Sequence, residues 1–204
     1  MSIEKIGIDI DCVCVNTTQC LVNYINERLP VDLELDDITS YSIEAALPEQ
    51  YRWIVDAGFR DSKMWKKIEM IPYCAEVIQK LYEEGYDIYF VTSSLPENLR
   101  KKINHLSRNM QFFPKDYVWR KTINIQNKSL LNLDILIDDC LWHLLAPERQ
   151  YKSICLNYPW NQVEEANEPN DFYRAYDWRQ IYHIIKAIER NSDGIGMLSS
   201  SVAS

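Results

Sequence analysis

The chain has 204 residues, enough for one domain with a core and a small insertion. Its net charge of −8 disfavours a nucleic acid polymer or an anionic membrane as partner, and no apolar stretch approaches the length of a membrane span. The 6 cysteines form no C-x-x-C pair and the 3 histidines are scattered, which argues against zinc. Glu4 and Lys5 interrupt the start and no leader-like stretch follows, so a reducing cytoplasm is the expected location.

Residues 5 to 11 read as a buried strand carrying Ile6, Ile8 and Ile10. Thr17 or Thr18 can cap a helix with Leu21, Val22, Tyr24 and Ile25, ended by Leu29-Pro30. Residues 32 to 71 are polar and aromatic, with short helices and no strand. There Asp37 or Thr39 offers a cap, Pro48-Glu49 opens a helix and Gly58 closes it. Pro72 starts the next helix, with Val77, Ile78 and Leu81 on one face, and Gly85 stops it. A strand over 86–91 leads into Thr92-Ser93-Ser94. Pro96 and Glu97 then begin a helix that runs to about Leu106, with Ser94 as its cap.

Further strands are expected from Asp134 to Ile137 and from Ser153 to Leu156. Asp177 caps an amphipathic helix bearing Trp178, Ile181, Ile184, Ile185 and Ile188, with Gln180 at capping-box spacing. Strands alternating with helices imply an α/β fold with a Rossmann-like parallel sheet. The alternation breaks over 16–71, which reads as a helical cap inserted after the first strand. The core is then 1–15 with 72–190, and 191–204 is a disordered tail.

The chemistry lies where strands end in acids. Asp9-x-Asp11 closes the first strand and Asp138-Asp139 closes a later one. Carboxylates a few ångströms apart repel unless a cation lies between them, and hard oxygen ligands suit Mg²⁺. Such a cradle belongs at the C-terminal edge of a parallel sheet. A carboxylate there can act as nucleophile on phosphorus, and a second can serve as acid and base. Asp-x-Asp alone also suits a surface turn, or the metal and sugar nucleotide site of a glycosyltransferase. Thr92-Ser93-Ser94 before a helix either caps it or binds an anion. Lys128 either neutralises phosphate or is simply solvated. Ile-Leu-Ile-Asp-Asp also opens phosphoribosyltransferase loops, but Cys140-Leu141-Trp142-His143 does not continue as they do.

Together and in this order, Asp9-x-Asp11, Thr92, Lys128 and Asp138-Asp139 resemble the four motifs of the haloacid dehalogenase superfamily of phosphatases. The segment from Lys128 to Asp139, the run from Met64 to Pro72, and Tyr158-Pro159-Trp160-Asn161 with Tyr173 to Trp178 are similar to the 5′(3′)-deoxyribonucleotidase branch. The resemblance spans about 3–188. It implies Asp9 as nucleophile and Asp11 as acid/base. It implies Mg²⁺ on the Asp9 carboxylate, the Asp11 carbonyl and Asp138, with Asp139 in support. Thr92, Ser93 and Lys128 would hold phosphate, and Trp65 would approach the nucleoside.

The expected activity is therefore Mg²⁺-dependent hydrolysis of a nucleoside monophosphate, a small-molecule nucleotide partner of deoxypyrimidine type. The rivals are a phosphatase of this fold for another small ester and a non-hydrolysing nucleotide-binding or regulatory protein. Oligomeric state is left open, a homodimer included. Three departures from the family stand out: Cys12 replaces its Gly after the second Asp, Pro72-Tyr73 replaces its Pro-Gly, and Met64 stands at one position of its aromatic cluster.

Overall fold

The structure is a computed structural model that describes residues 3–163 and 168–199, with side chains described to residue 191. The strands are β1 (Lys5–Asp9), β2 (Asp87–Thr92), β3 (Thr122–Asn124), β4 (Ile135–Asp138), β5 (Lys152–Leu156) and β6 (Phe172–Ala175). They form one sheet in the order β3-β2-β1-β4-β5-β6, and every pairing is parallel. Parallel strands need helical crossovers on their faces, so both faces are covered and the strands read as continuous apolar runs. All four residues of β4 are buried, as are the last four of β1.

The helices are α1 (Thr17–Asn26), α2 (Trp53–Arg60), α3 (Ser62–Lys66), α4 (Cys74–Glu83), α5 (Pro96–Asn109), α6 (Tyr117–Arg120), α7 (Leu141–Leu144) and α8 (Trp178–Ser199). On α8, Trp178, Ile181, Ile185 and Ile188 turn into the core, and the Trp178 indole donates to the Val13 carbonyl at 2.8 Å. The Asp177 carboxylate caps this helix by accepting from the Gln180 N–H at 2.8 Å, while the Gln180 amide oxygen takes the Tyr176 N–H at 2.9 Å. The helix runs to Ser199, so the backbone over 191–199 is helical where the sequence suggested a tail. Residues 200–204 lie outside the described residues.

Strand order determines where a site can form. The chain steps outward from β1 to β2 to β3, then returns to place β4 on the other side of β1. The crossovers diverge there, opening a crevice at the C-terminal ends of β1, β2 and β4. Those ends are Asp9, Thr92 and Asp138.

Several local expectations are corrected. The first strand ends at Asp9, and the chain bends before Asp11. α1 has Asn16 as its N-cap with no side-chain cap bond, its amide oxygen accepting the Glu69 N–H at 2.9 Å, and Thr17 and Thr18 direct their hydroxyls to Asp11 and Cys12 rather than capping the helix. α5 is preceded by Leu95 rather than capped by Ser94, whose hydroxyl donates to the Leu95 carbonyl. α4 begins at Cys74 after a left-handed Tyr73, not at Pro72. A Glu34–Asp37 capping box replaces the cap expected at Asp37 or Thr39.

Between α1 and α2 the chain makes three short 3₁₀ turns, at Leu35–Asp37, Ile43–Ala46 and Glu49–Tyr51. Gly58 does not end a helix. It lies inside α2, where a Cβ would come within 2.4 Å of the Leu21 side chain of α1. Gly85 does stop α4, at φ +98°.

Candidate active site

The loop after β1 carries the first two acids. Cys12 N–H donates to the Val15 carbonyl at 2.8 Å, and the Cys14 and Val15 N–H groups both return to the Ile10 carbonyl at 3.0 Å. This tight loop puts Cys12 at φ +57°, the left-handed region where the family's glycine would be free of strain. Tyr73, the other residue standing where the family has glycine, has φ +65°. Both residues thus carry a side chain in a backbone conformation that favours glycine.

Asp9, Asp138 and Asp139 form one buried group, with a ligand oxygen from each within 4.8 Å of the others. The Lys128 ammonium, 1 % exposed, bridges two of them. It donates to Asp9 Oδ1 and, at 2.7 Å, to Asp138 Oδ2. Asp138 Oδ1 accepts the N–H groups of Asp139 and Cys140 at 2.9 and 3.0 Å. Asp139 Oδ2 accepts the Trp160 indole N–H at 2.9 Å, and the Asp139 carbonyl takes the Asn161 amide at 2.9 Å.

Three carboxylates against one ammonium leave negative charge uncompensated. Burial, then repulsion from Asp138 and Asp11, pushes the Asp9 carboxyl up to about 7, although Lys128 opposes this. Burial, with Asp138 and Asp9 beside it, also holds Asp139 well above the usual carboxylate range. Lys128 loses favour for its charge through burial, but Asp138 and Asp9 more than restore it and hold its proton firmly. This donor set fits a hard divalent cation: all oxygen, anionic and buried. Asp139 enters the group directly, a closer role than sequence reading gave it.

A second pair lies alongside. Asp11 accepts the Thr17 hydroxyl at 2.7 Å and the Lys102 ammonium. Lys102 also reaches the Thr92 hydroxyl at 3.2 Å. Lys102 is buried on α5, and sequence reading missed it. The available signal was its register: Asn98, Lys102 and Leu106 repeat every four residues on the buried face of that helix, so a lysine stands where a hydrophobe was due. Ser93 turns its hydroxyl to the Ile125 carbonyl at 2.8 Å.

A cavity of about 310 Å³ opens beside these groups, with Asp11, Ser93, Lys102 and Asp139 among its lining. Tyr41, Phe59, Trp65 and Trp160 supply aromatic wall. Trp65 is 9 % exposed, and its indole donates to the Phe59 carbonyl at 2.7 Å. Tyr41 is 65 % exposed and is the more accessible ring. Lys128, expected to hold phosphate, is buried between Asp9 and Asp138, and Lys102 lines the cavity.

Fold and site together define a haloacid dehalogenase superfamily phosphatase. Solved structures agree on the fold. A haloacid dehalogenase-like family hydrolase from Streptococcus pneumoniae superposes with TM-score 0.57 at 16 % identity, over 89 % of this chain and 98 % of its own. A "predicted phosphoglycolate phosphatase" from Haemophilus somnus superposes with TM-score 0.61 at 16 % identity, over 90 % and 98 %.

Sequence relatives narrow the class. A "Putative 5'(3')-deoxyribonucleotidase" from Staphylococcus epidermidis is 25 % identical over 193 residues, which is 93 % of this chain and 100 % of that protein. One of the same name from Staphylococcus aureus is 25 % identical over 142 residues, 68 % of this chain and 75 % of its own. Residues 2–190 match the family of the 5′ nucleotidase, deoxy (pyrimidine), cytosolic type C protein, and the chain belongs to that family. It is a phosphoric monoester hydrolase of nucleotidase type.

Proposed function

We propose that the protein hydrolyses nucleoside monophosphates, with deoxypyrimidine nucleotides as preferred substrates, through a phosphoryl group carried on Asp9, with Mg²⁺ as cofactor. The observation that carries this reading is the buried Asp9–Lys128–Asp138 bridge with Asp139 against it, next to an aromatic-walled cavity. Asp9, Asp138 and Asp139 would hold the cation, which offsets phosphate charge and favours in-line attack.

An Asp9 oxygen attacks phosphorus, the ester P–O bond breaks, and the leaving alkoxide takes a proton from Asp11. Asp11 then removes a proton from water, the water oxygen attacks phosphorus, and inorganic phosphate leaves with Asp9 restored. Lys102 and Ser93 line the cavity, Thr92 is buried behind them with its hydroxyl against Lys102, and these three would bind the non-reacting phosphate oxygens. Lys128 aims Asp9 and Asp138. The stretch 16–71 would act as the cap, since it supplies Tyr41, Phe59 and Trp65 to the cavity. Tyr41 is the ring best exposed to stack on a base.

All 6 cysteines are unpaired and buried, which supports a reducing, cytoplasmic setting. Among the described residues no helix is long and apolar enough to cross a membrane.

The test is phosphate release from a panel of nucleotides and sugar phosphates, with Mg²⁺ and with a chelator. Deoxypyrimidine monophosphates should lead, and chelation should stop them. Sugar phosphates outrunning every nucleotide would discard the substrate class. Full activity after exhaustive chelation would remove the metal.

A further inference from the structure

A second cavity, of about 300 Å³, lies behind the wall of the first. Its lining includes Lys66, Lys101, Lys102, His105 and Arg108, and contains no aspartate or glutamate. The charge comes from one register: Lys101, His105 and Arg108 stand at i, i+4 and i+7 on α5, so they share a face. Ser62, Trp65 and Lys66 stand at i, i+3 and i+4 on α3 and close the other side.

This gathering runs against the character of the chain, which has 22 basic residues to 30 acidic ones. Like charges brought together cost free energy unless an anion compensates them. Within the protein that compensation is partial. Lys102 is paired with Asp11. Among the described residues, Lys101 reaches the Asn98 amide oxygen, at 3.1 Å, and the face of Trp65, at 5.6 Å from its centroid. Arg108 donates to the Asn104 carbonyl at 3.1 Å. Among the described residues, Lys66, Lys101 and Arg108 make no ion pair. The Nε2 of His105 is buried with no hydrogen-bond partner.

We propose that this cavity binds an oligophosphate, and that occupancy alters turnover at the neighbouring site. Several separate cations around a small concavity suit an anion with many oxygens and more than one charge. A single carboxylate would leave most of these donors unused. Trp65 and Lys102 line both cavities. An anion on the far side of Lys102 draws on the ammonium that holds Asp11 and Thr92, so the two sites share one charged group.

The experiment titrates inorganic tripolyphosphate into the full chain by calorimetry in chelating buffer, where the acidic catalytic cluster repels anions. A nucleoside triphosphate is the second arm. The Lys66→Gln/Arg108→Gln variant alters two exposed residues outside the catalytic cavity, and its melting temperature shows that it folds. Wild type should bind one equivalent, more weakly at high salt, and the variant should lose about tenfold or more in affinity.

Equal binding of both ligands assigns the phosphate chain alone as the ligand; tighter nucleotide binding, likewise lost in the variant, adds the nucleoside. No binding by wild type, or undiminished binding by the variant, overturns the site. Steady-state kinetics at constant free Mg²⁺ tests the second half. Tripolyphosphate should change kcat for wild type and not for the variant, and a bound anion that leaves kcat unchanged overturns the regulation.

Discussion

The Lys102 ammonium holds one oxygen of the Asp11 carboxylate and the Thr17 hydroxyl the other, so the proposed acid/base is fixed by two donors on two different helices. Removing this lysine leaves a partly buried carboxylate without its cation, which costs about 2–5 kcal/mol in comparable pairs. Lys102→Met should lower kcat/KM by roughly thirtyfold or more, in line with that range. Phosphate-release kinetics checks this, and a loss confined to melting temperature would assign Lys102 to stability alone.

Asp9→Asn should keep the fold and abolish turnover, because an amide is a poor nucleophile. Asp11→Asn should permit some phosphorylation of Asp9 but stall its hydrolysis. The Asp9 loss should exceed the roughly 10²–10⁴-fold typical of an acid/base group. Rapid-quench detection of the phosphoenzyme separates the two variants. Near-normal activity of Asp9→Asn would exclude the mechanism.

The acid cluster makes a prediction about pH. Asp9 titrates from 3.8 in the unfolded chain to about 7 in the folded one, and Asp139 shifts the same way. Across that window the folded state binds more protons, so the metal-free protein should lose stability as pH rises towards 7. A divalent cation competes with those protons. Mg²⁺ should therefore raise the melting temperature more at pH 8 than at pH 5.5, and its binding should release protons. Thermal melts with and without chelator, and calorimetry in buffers of different ionisation enthalpy, measure both effects.

Cys12 and Tyr73, two of the three non-glycine residues at positive φ among the described residues, should respond differently to glycine. A side chain at positive φ costs about 1–2 kcal/mol, partly offset because glycine loses more freedom on folding. Cys12→Gly should gain about 0.5–1 kcal/mol by this balance, with turnover retained. Tyr73→Gly also removes a ring that lies 4.2 Å from the Arg179 guanidinium, so its gain should be near zero. Denaturant melts compare them. A strongly destabilised Cys12→Gly would mean that the thiol contact to Thr18, at 3.0 Å, outweighs the strain.

Two aromatic rings separate recognition from packing. Tyr41→Ala should lower kcat/KM for nucleotides, with a stacking loss of about 1–3 kcal/mol, and should spare p-nitrophenyl phosphate and the melting temperature. Trp65→Ala removes a buried, hydrogen-bonded indole and should cost about 3–5 kcal/mol of stability, lowering activity on both substrates. The opposite assignment of effects would return the base contact to Trp65.

The residues that announced themselves in the sequence are those where a simple period breaks. Asp9, Thr92 and Asp138 each end an apolar run, and the structure brings those ends to one crevice. Lys102 was hidden because one lysine among many on an amphipathic helix draws attention only once its face is known to be buried. β3 escaped notice because three residues, Thr122–Asn124, are too few to show alternation. β6 was missed because Phe172–Ala175 has a polar middle. Gly58 was misread as a stop because close helix approach and helix ending use the same residue. Cys12 and Tyr73 stand out in the sequence as replacements of expected glycines, and both have the positive φ that favours glycine.

The tie between Asp139 and Trp160–Asn161 continues outward. Arg174 of β6 donates to the Asn161 amide oxygen at 3.1 Å and pairs with Glu168 at 3.0 Å. A strand that contributes no reacting group is thereby linked, through two side chains, to the main-chain carbonyl of Asp139. Support for the site therefore extends to β6, a strand three places from β1 in the sheet. Without Arg174, Asn161 would keep its bond to Asp139 but lose the guanidinium that helps to fix its amide oxygen, so a change far from the reacting groups would be expected to loosen the loop that carries Asp139.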